Sequence, residues 1–379
     1  MNDLSVSDWQ LIGLTVDQLG PFQHRQQFSF LGDTPSAEAP DEPPGPSNLY
    51  MLLAANGRGK TTLLETIHGL FGLLARPGTG RFAVPGAQGQ AQLDVRATWT
   101  IDGATRTVLL SIWTGASSPL STWPKDRLEE EGQATEWARL GIFASPNGLA
   151  FSDESNDLGA AFHRAITARA GSAPGSLFGE TINLPTVLFF PADRMLLVPP
   201  GRRIIEAPDN WVYQPAHCFG VDGAEWNGSI ENLLAWLLWV GEKEQERLLR
   251  FINERMYPDQ DKVILPIERA ELQTYVRTGE GSHLLSALSH GERALLQLFL
   301  RTAAHMSRNT IILIDEVETH LHTRWMNRMY QALKDLLRAI PSLTIVFTTH
   351  NRELIQVFDH TRPEPGIVKG GYLLADDMS

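Results

Sequence analysis

The sequence predicts an α/β fold with a mixed core sheet, an antiparallel β section near the N-terminus and an insertion of helical and irregular structure. Residues 311–314 and 343–347 are apolar runs that are too short for helices and rich in β-branched residues, as is typical of parallel strands buried on both faces. Residues 60–74 carry apolar side chains at helical spacing. Near the N-terminus, apolar and polar residues alternate, as in a half-buried strand.

The elements of the first part of the chain follow from these patterns in order. Residues 11–30 predict a hairpin that turns at Gly20-Pro21, and residues 49–54 predict a strand that leads into the helix at 60–74. Residues 92–112 predict two strands joined by a tight turn at Asp102-Gly103. The acidic, proline-rich residues 32–47 carry no large apolar side chain and predict a surface loop, either a plain insertion or a docking site.

The second part of the chain is less regular up to residue 185 and then alternates between helices and strands. The predicted helices are 156–168, 229–256 (one long helix or two), 295–306, 323–337 and 352–358, and the predicted strands are 186–190, 262–277, 311–314 and 343–347.

Bulk properties exclude several classes of protein. The chain has 379 residues, a net charge of -12 and one cysteine, Cys218, which excludes a disulfide framework within the chain. Residues 1–10 lack the charged and apolar regions of a signal peptide, and the longest apolar run, 233–240, is too short for a membrane helix. We therefore expect a cytoplasmic protein with no membrane partner. The acidic balance weakens a nucleic-acid interaction without excluding it, because local charge placement matters more than the sum.

Residues 54–62, Ala-Ala-Asn-Gly-Arg-Gly-Lys-Thr-Thr, match the phosphate-binding pattern G-x-x-x-x-G-K-[ST] except that alanine replaces its first glycine. In such a loop, successive backbone N–H groups and a helix N-terminus surround phosphate oxygens. We expect Lys60 to reach the β- and γ-phosphates of ATP and Thr61 to bind Mg²⁺. A chance strand–turn–helix is the alternative for this motif alone. The predicted nucleotide-binding residues are Asn56, Gly57, Arg58, Gly59, Lys60, Thr61 and Thr62.

Two further motifs each lie at the end of an apolar strand. At 311–316 the strand runs into Asp315 and Glu316, which predicts that Asp315 holds Mg²⁺ through water and that Glu316 polarises the attacking water. At 345–350 the strand ends in His350. Taken singly, an acidic strand end and a structural histidine are the alternatives.

The segment Leu-Ser-His-Gly-Glu at 288–292 precedes an apolar helix. Ser289 and Glu292 fit a capping box, which is the structural interpretation. A capped helix N-terminus also suits a phosphate presented by another subunit.

The order and spacing of these motifs along the chain resemble those of an ABC nucleotide-binding domain. The resemblance implies that ATP and Mg²⁺ are cofactors, that Glu316 and His350 are catalytic, and that His350 contacts the γ-phosphate. It also implies that two heads enclose ATP in a head-to-tail dimer or higher oligomer. The signature residues acting in trans would be Ser289, His290, Gly291 and Glu292.

Residues 315–323 indicate a branch of that family. They resemble the D-E-P-E-x-H-L-H-P pattern of OLD-like ATPases of the AAA-15/AAA-21 type, with Val317 and Thr323 in place of its prolines. The pattern implies a D-loop-like role for His320 and His322, and a metal site is the alternative explanation of these histidines. Residues 13–22 are similar to the opening of SMC, RecF and OLD proteins.

The segment at 188–203 resembles the RecF segment near the Q-loop, with phenylalanine, proline and aspartate ahead of a glycine and two arginines. This resemblance implies a Q-loop-like role for Asp193 and Arg194. A β-bulge followed by a surface loop is the alternative.

The resemblance implies one ATPase head in three parts, without SMC-like coiled-coil arms or an OLD-like C-terminal nuclease. Residues 1–113 would form the N-terminal lobe with the phosphate-binding loop, 114–230 an insertion with the Q-loop-like segment, and 231–379 the helical lobe with the other motifs. The function expected is an ATP-gated subunit of a bacterial antiphage defence system, controlling a separate effector such as a nuclease or toxin, with nucleic acid as a further candidate partner. The alternatives are a RecF-like DNA repair ATPase, an ATP-binding scaffold with little turnover, and a transporter ATPase subunit.

Overall fold

The computed structural model describes most of the chain. The described residues are 4–32, 45–55, 57–75, 78–172, 182–197, 199, 203–208, 211–259, 261–319, 321–358 and 362–374. Most of the predicted surface loop at 32–47 lies outside them, as do Asn56 and His320.

Strands and helices alternate along much of the chain, and this α/β pattern confirms the predicted fold class. The strands are β1 (Ser5–Asp17), β2 (Gln26–Ser29), β3 (Leu49–Leu53), β4 (Gln90–Ile101), β5 (Ala104–Thr114), β6 (Glu136–Ser145), β7 (Gly148–Phe151), β8 (Pro185–Phe190), β9 (Met195–Leu196), β10 (Ala216–Cys218), β11 (Val221–Asp222), β12 (Lys262–Ile264), β13 (Tyr275–Thr278), β14 (Gly281–Leu284), β15 (Asn309–Ile314), β16 (Thr344–Thr349) and β17 (Lys369–Leu373). The helices are α1 (Lys60–Gly72), α2 (Lys125–Glu130), α3 (Asp157–Arg169), α4 (Ile230–Val240), α5 (Glu242–Met256), α6 (His290–His305), α7 (Thr323–Ala339) and α8 (Arg352–Phe358).

The central sheet is parallel throughout, in the order β10-β8-β15-β16-β3-β17. Every residue of β8, β15 and β16 is buried, as expected for strands covered on both faces. Because all strands run the same way, their carboxyl ends meet at one edge of the sheet. The loops that follow β3, β8, β15 and β16 therefore converge there.

The two faces of this sheet pack against different layers. Ile312 and Ile314 point into a core shared with α4 to α8, whereas Ile311 and Leu313 point into a core shared with α1 and the N-terminal strands. The alternation follows from the two-residue period of a strand. As a result, α1 and α6 pack on opposite faces of the central sheet.

The N-terminal sheet has the order β2-β1-β4-β5-β6-β7 and is antiparallel except between β5 and β6. Its two expected hairpins are present. The turn between β4 and β5 places Asp102 and Gly103 at φ values of 51° and 81°, which explains the Asp-Gly pair. Helix α3 covers the sheet, with Phe162 stacked against the rings of Trp9 and Trp99.

The region 114–230 contributes to both sheets in its described part, since β6 and β7 extend the N-terminal sheet and β8 and β10 belong to the central one. The three-part division of the chain stays a prediction. Residues 229–256 form two helices, α4 and α5, which meet at Gly241. None of the helices in the described residues combines the length and apolar character needed to span a bilayer.

The single strand predicted at 262–277 is wrong. Only its two ends are extended, as β12 and β13, and they pair with each other antiparallel. Between them the chain reverses through a bridge from Glu268 to Gln273, with Leu272 at a positive φ of 50°. Apolar spacing did not indicate this reversal, although Pro266 interrupts the segment and proline is unfavourable inside a paired strand.

Candidate functional site

The loop between β3 and α1 has the backbone that a phosphate-binding loop requires. Gly57 and Gly59 have φ values of 79° and 98°, a region that favours glycine. A Cβ atom on Gly59 would lie 2.5 Å from the ring of Phe22 and 2.8 Å from Pro21. The turn of the N-terminal hairpin therefore packs directly on this loop, and only glycine fits at position 59.

The start of α1 presents its backbone N–H groups without a side-chain cap. The N-cap residue is Gly59, which has no side chain to accept a hydrogen bond, and no acidic residue lies in the first turn. Lys60 is only 6% exposed, and its Nζ donates to the carbonyl oxygens of Ala54 at 2.7 Å and Ala55 at 3.2 Å. An uncapped helix N-terminus with a buried lysine at its base fits a phosphate chain.

Asp315 links the phosphate-binding loop to the central strands. Its Oδ2 accepts a hydrogen bond from Thr61 Oγ1 at 2.7 Å, and its Oδ1 accepts one from Thr348 Oγ1 at 2.6 Å. The residue is 2% exposed. A hydroxyl and a carboxylate held side by side are oxygen ligands of the kind that Mg²⁺ prefers, so the residues present fit this ion.

Glu316 follows in a left-handed backbone conformation, with φ of 42°. For a residue other than glycine this conformation costs about 1 kcal/mol and persists only when neighbours enforce it. Here the Glu316 N–H donates to Thr348 Oγ1 at 2.8 Å, and the next N–H, of Val317, donates to the Thr348 carbonyl at 3.1 Å. The carboxylate accepts a hydrogen bond from Thr319 Oγ1 at 3.3 Å.

Arg194 is buried against the turn at residues 315–317. Its guanidinium donates to the carbonyl oxygens of Asp315 at 2.7 Å, Glu316 at 3.1 Å and Val317 at 3.2 Å, and the residue is 4% exposed. Burial lowers its pKa to about 10, against the opposing effect of the neighbouring carboxylates, so it stays charged at neutral pH. Asp193 beside it is exposed.

His350 follows β16 and rests on a buried carboxylate. Glu318 Oε1 accepts the backbone N–H of His350 at 2.8 Å and lies 3.2 Å from its Nδ1. The histidine side chain is 52% exposed, whereas that of Glu318 is 8% exposed. The imidazole is therefore fixed on one side and open on the other.

The residues at the start of α6 form the capping box that the sequence suggested. Ser289 Oγ accepts from the backbone N–H of Glu292 at 3.3 Å, and Glu292 Oε2 accepts from the backbone N–H of Ser289 at 3.1 Å and from its Oγ at 2.9 Å. The other carboxylate oxygen accepts from Lys262 Nζ at 2.7 Å and from Tyr257 at 3.2 Å. Burial acts to raise the pKa of Glu292, but the hydrogen bonds from Lys262 and then Ser289 hold it below its ordinary value. Ser289 and His290 are exposed.

The structure thus gathers Lys60, Thr61, Asp315, Glu316 and His350 around the carboxyl edge of the central sheet. The signature residues 289–292 begin a helix on the opposite face from α1. Of the remaining predicted residues, Arg58 and His322 are exposed and Thr62 is half-buried, while Asn56 and His320 lie outside the described residues.

Sequence reasoning missed three residues that shape this edge: Phe22, Glu318 and Thr348. Thr348 and Glu318 lie within quoted motifs, and both are buried polar residues next to a predicted strand end. A polar side chain next to a buried strand end was therefore the sequence signal that could have identified these two residues. Phe22 closes the 13–22 segment, but nothing in the sequence indicated that its ring packs on Gly59.

Comparisons with known proteins agree with the motifs in one segment. Residues 238–356 match the model of a family described as AAA domain, putative AbiEii toxin, Type IV TA system. The match covers less than a third of the chain and spans α5 to β16, with the signature, Asp315, Glu316 and His350. It supports the resemblance to AAA-21 type ATPases drawn from the sequence. The chain matches no curated protein.

Among solved structures, the SMC head domain from Thermotoga maritima is 14% identical, covers 92% of each chain and has a TM-score of 0.38. The cbiO1 subunit from Clostridium perfringens, part of an ABC transporter complex, is 11% identical, covers 91% of this chain and 80% of that chain, and has a TM-score of 0.34. These low TM-scores carry no argument about this chain. The fold class rests on the strand order and the phosphate-binding loop above.

Proposed function

We propose that this chain, an SMC/ABC-like P-loop ATPase by fold and motif, binds ATP with Mg²⁺, hydrolyses it, and uses the cycle to gate a separate partner. The observation that supports hydrolysis best is the pair of hydrogen bonds on Asp315. One joins it to Thr61 at the phosphate-binding loop and the other to Thr348 at the end of β16. Three segments distant in sequence are thereby held at one point.

Each residue at this edge has a role in the proposal. The N–H groups at the start of α1 and the ammonium of Lys60 bind the phosphates, and Thr61 and Asp315 hold the Mg²⁺. Bound Mg²⁺ would neutralise charge that develops on the phosphate oxygens. Glu316, fixed by Thr348 in its strained turn, orients and polarises the attacking water.

The signature residues support a paired arrangement of heads. Ser289 and His290 are exposed at the start of α6, which packs on the opposite face of the sheet from α1. In the proposal, this helix N-terminus completes the nucleotide site of a second copy, in a head-to-tail dimer or higher oligomer. Asp193 and Arg194 as Q-loop-like residues, and His320 and His322 as D-loop-like residues, remain part of the same proposal.

The biological role proposed is the cytoplasmic ATPase subunit of a bacterial antiphage defence system that controls an effector such as a nuclease or toxin. The description of the matched family, which names a putative toxin of a toxin–antitoxin system, favours this class. A RecF-like DNA repair ATPase is the second candidate, because residues 13–22 and 188–203 resemble that branch. An ATP-binding scaffold with little turnover is the third, because Ala54 replaces a glycine of the loop pattern.

The test is steady-state ATP hydrolysis by the purified protein, with and without linear double-stranded DNA, beside Glu316→Gln. We expect measurable turnover that falls about a hundredfold or more in the variant, while ATP binding persists and the dimer accumulates. Equal turnover by Glu316→Gln would remove the proposed role of Glu316.

The comparison of turnover with and without DNA distinguishes the candidate biological functions. Turnover that is indifferent to DNA favours a protein partner as the regulator, whereas stimulation by DNA favours the repair-type function. If the protein binds ATP tightly but shows no turnover in either condition, the ATP-binding scaffold is the function that remains.

A further inference from the structure

We propose that Glu318 is a positioning residue for His350: it holds Nδ1 of the imidazole protonated and turned inward, so that Nε2 faces the nucleotide. This inference rests on the proposed ATPase function and adds Glu318, which lies within residues 315–323, to the residues with a role at the site. The observation that supports this inference is the contact between a buried carboxylate and a half-exposed histidine at the edge of the site.

The contacts of Glu318 are divided unequally between its two oxygens. Oε1 accepts the His350 backbone N–H at 2.8 Å and lies 3.2 Å from the His350 Nδ1. Oε2 is buried and has no hydrogen-bond partner among the described residues. The same carboxylate oxygen therefore contacts His350 twice, once at its backbone N–H and once at its ring.

The chemistry of the pair fixes the tautomer. A carboxylate only accepts hydrogen bonds, so Nδ1 must carry a proton when it bonds to Glu318. In a neutral imidazole the proton is then absent from Nε2. Nε2 lies across the ring from the Nδ1 that contacts Glu318, and the histidine side chain as a whole is 52% exposed. A protonated imidazole in the same orientation would donate from Nε2 to a phosphate oxygen.

Hydrogen bonds to the neighbouring backbone fix the position of Glu318. The turn at 315–317 receives three hydrogen bonds from the Arg194 guanidinium, and Leu321 N–H donates to the Glu318 carbonyl at 2.9 Å. A fixed carboxylate bonded to one ring nitrogen is the arrangement by which an outer residue orients a ligand-facing histidine.

A purely structural role for Glu318 is the competing explanation, because Oε1 also anchors the backbone after β16. A double-mutant cycle in ATP hydrolysis separates the two. We expect Glu318→Ala to lower kcat about tenfold or more, with KM within about twofold. In a His350→Ala background, the same change should alter kcat by less than about twofold, since the residue it positions is already gone.

The control variant is Glu364→Ala, which removes another partly buried carboxylate, bonded to Lys334 and Lys369 away from the strand ends of the site. It should lower the melting temperature without lowering kcat. If the effects of Glu318→Ala and His350→Ala multiply, or if Glu364→Ala lowers kcat as much as Glu318→Ala, the positioning role is wrong.

A second measurement does not depend on turnover. In protein labelled with ¹⁵N-histidine, the signals lost in His350→Ala identify this residue among the 11 histidines. At a pH where the ring is neutral, we expect the Nδ1-protonated tautomer in the wild type and in Glu318→Gln, whose amide oxygen still accepts. Glu318→Ala should change it to the Nε2-protonated form.

An Nε2-protonated ring in the wild type would overturn the proposal even if the protein hydrolyses ATP. A wild type without ATPase activity but with the Nδ1-protonated ring would contradict the proposed function and leave the contact itself established. If Glu318→Ala fails to fold, the wild type and Glu318→Gln still decide the tautomer.

Discussion

Helices α1 and α6 both begin at a motif, and they begin in opposite ways. The first turn of α1 has glycine as its N-cap, no side-chain cap and no acidic residue. The first turn of α6 has a serine cap, a capping box and Glu292 buried against Lys262. The N-cap of α1 leaves its N–H donors to other partners, whereas at α6 side chains accept the backbone N–H groups of Ser289 and Glu292.

This difference separates two tasks that sequence motifs alone do not distinguish. An uncapped N-terminus is stable only if something else satisfies its donors, and a phosphate chain does so. A capped N-terminus is stable alone and can be exposed before any partner arrives. In the proposed dimer, α1 therefore supplies the phosphate-binding end and α6 the preformed end that docks on it.

The largest effect is expected at α1, from Lys60→Ala. Loss of a buried ammonium that binds two phosphates should weaken ATP binding roughly a hundredfold, equivalent to about 3 kcal/mol. Isothermal titration calorimetry with ATP and Mg²⁺ measures it. Lys125→Ala is the control, because that lysine is 88% exposed on α2. Tight ATP binding by Lys60→Ala would mean that α1 is not the phosphate-binding helix start.

A smaller effect is expected at α6, from Ser289→Ala compared with Ser229→Ala. Both serines cap a helix, since Ser229 Oγ accepts the Asn232 N–H at 3.0 Å at the start of α4. Each variant should lose about 1 kcal/mol of unfolding free energy. Only Ser289→Ala should also lower ATP hydrolysis, by about tenfold. If hydrolysis is equal in the two variants, Ser289 is a cap and nothing more.

The last prediction concerns the stability of the fold, in Glu292→Gln. A single amide oxygen cannot serve donors on both sides, so this variant should lose about 2 kcal/mol of unfolding free energy at pH 7. Because the folded pKa of Glu292 lies below its ordinary value of 4.5, the charged group stabilises the fold above that pH. As the pH falls below 4.5, the wild type should lose this advantage.

Urea unfolding of the wild type and of Glu292→Gln between pH 3 and pH 7 measures how their difference in unfolding free energy changes with pH. A difference between the two that does not change over this range would show that the Glu292 charge contributes nothing to the capped start of α6.

The sequence by itself determined the fold class and most of the strands and helices. Short β-branched runs specify buried parallel strands, and the glycine-lysine-threonine turn predicts a phosphate-binding loop, because both signals are local. The capping box at Ser289 and Glu292 was also readable from their spacing. The reversal between β12 and β13 was not visible in the apolar spacing, although Pro266 argues against one continuous strand there.

Only the tertiary structure decided which distant side chains meet. Thr61, Asp315 and Thr348 come together because three parallel strands end at one edge, and spacing along the chain cannot give this. Arg194 proved to be a buried anchor for the turn at 315–317, and Glu318 the partner of His350. A hydrogen bond across strands depends on register and burial, which arise only when the sheet assembles.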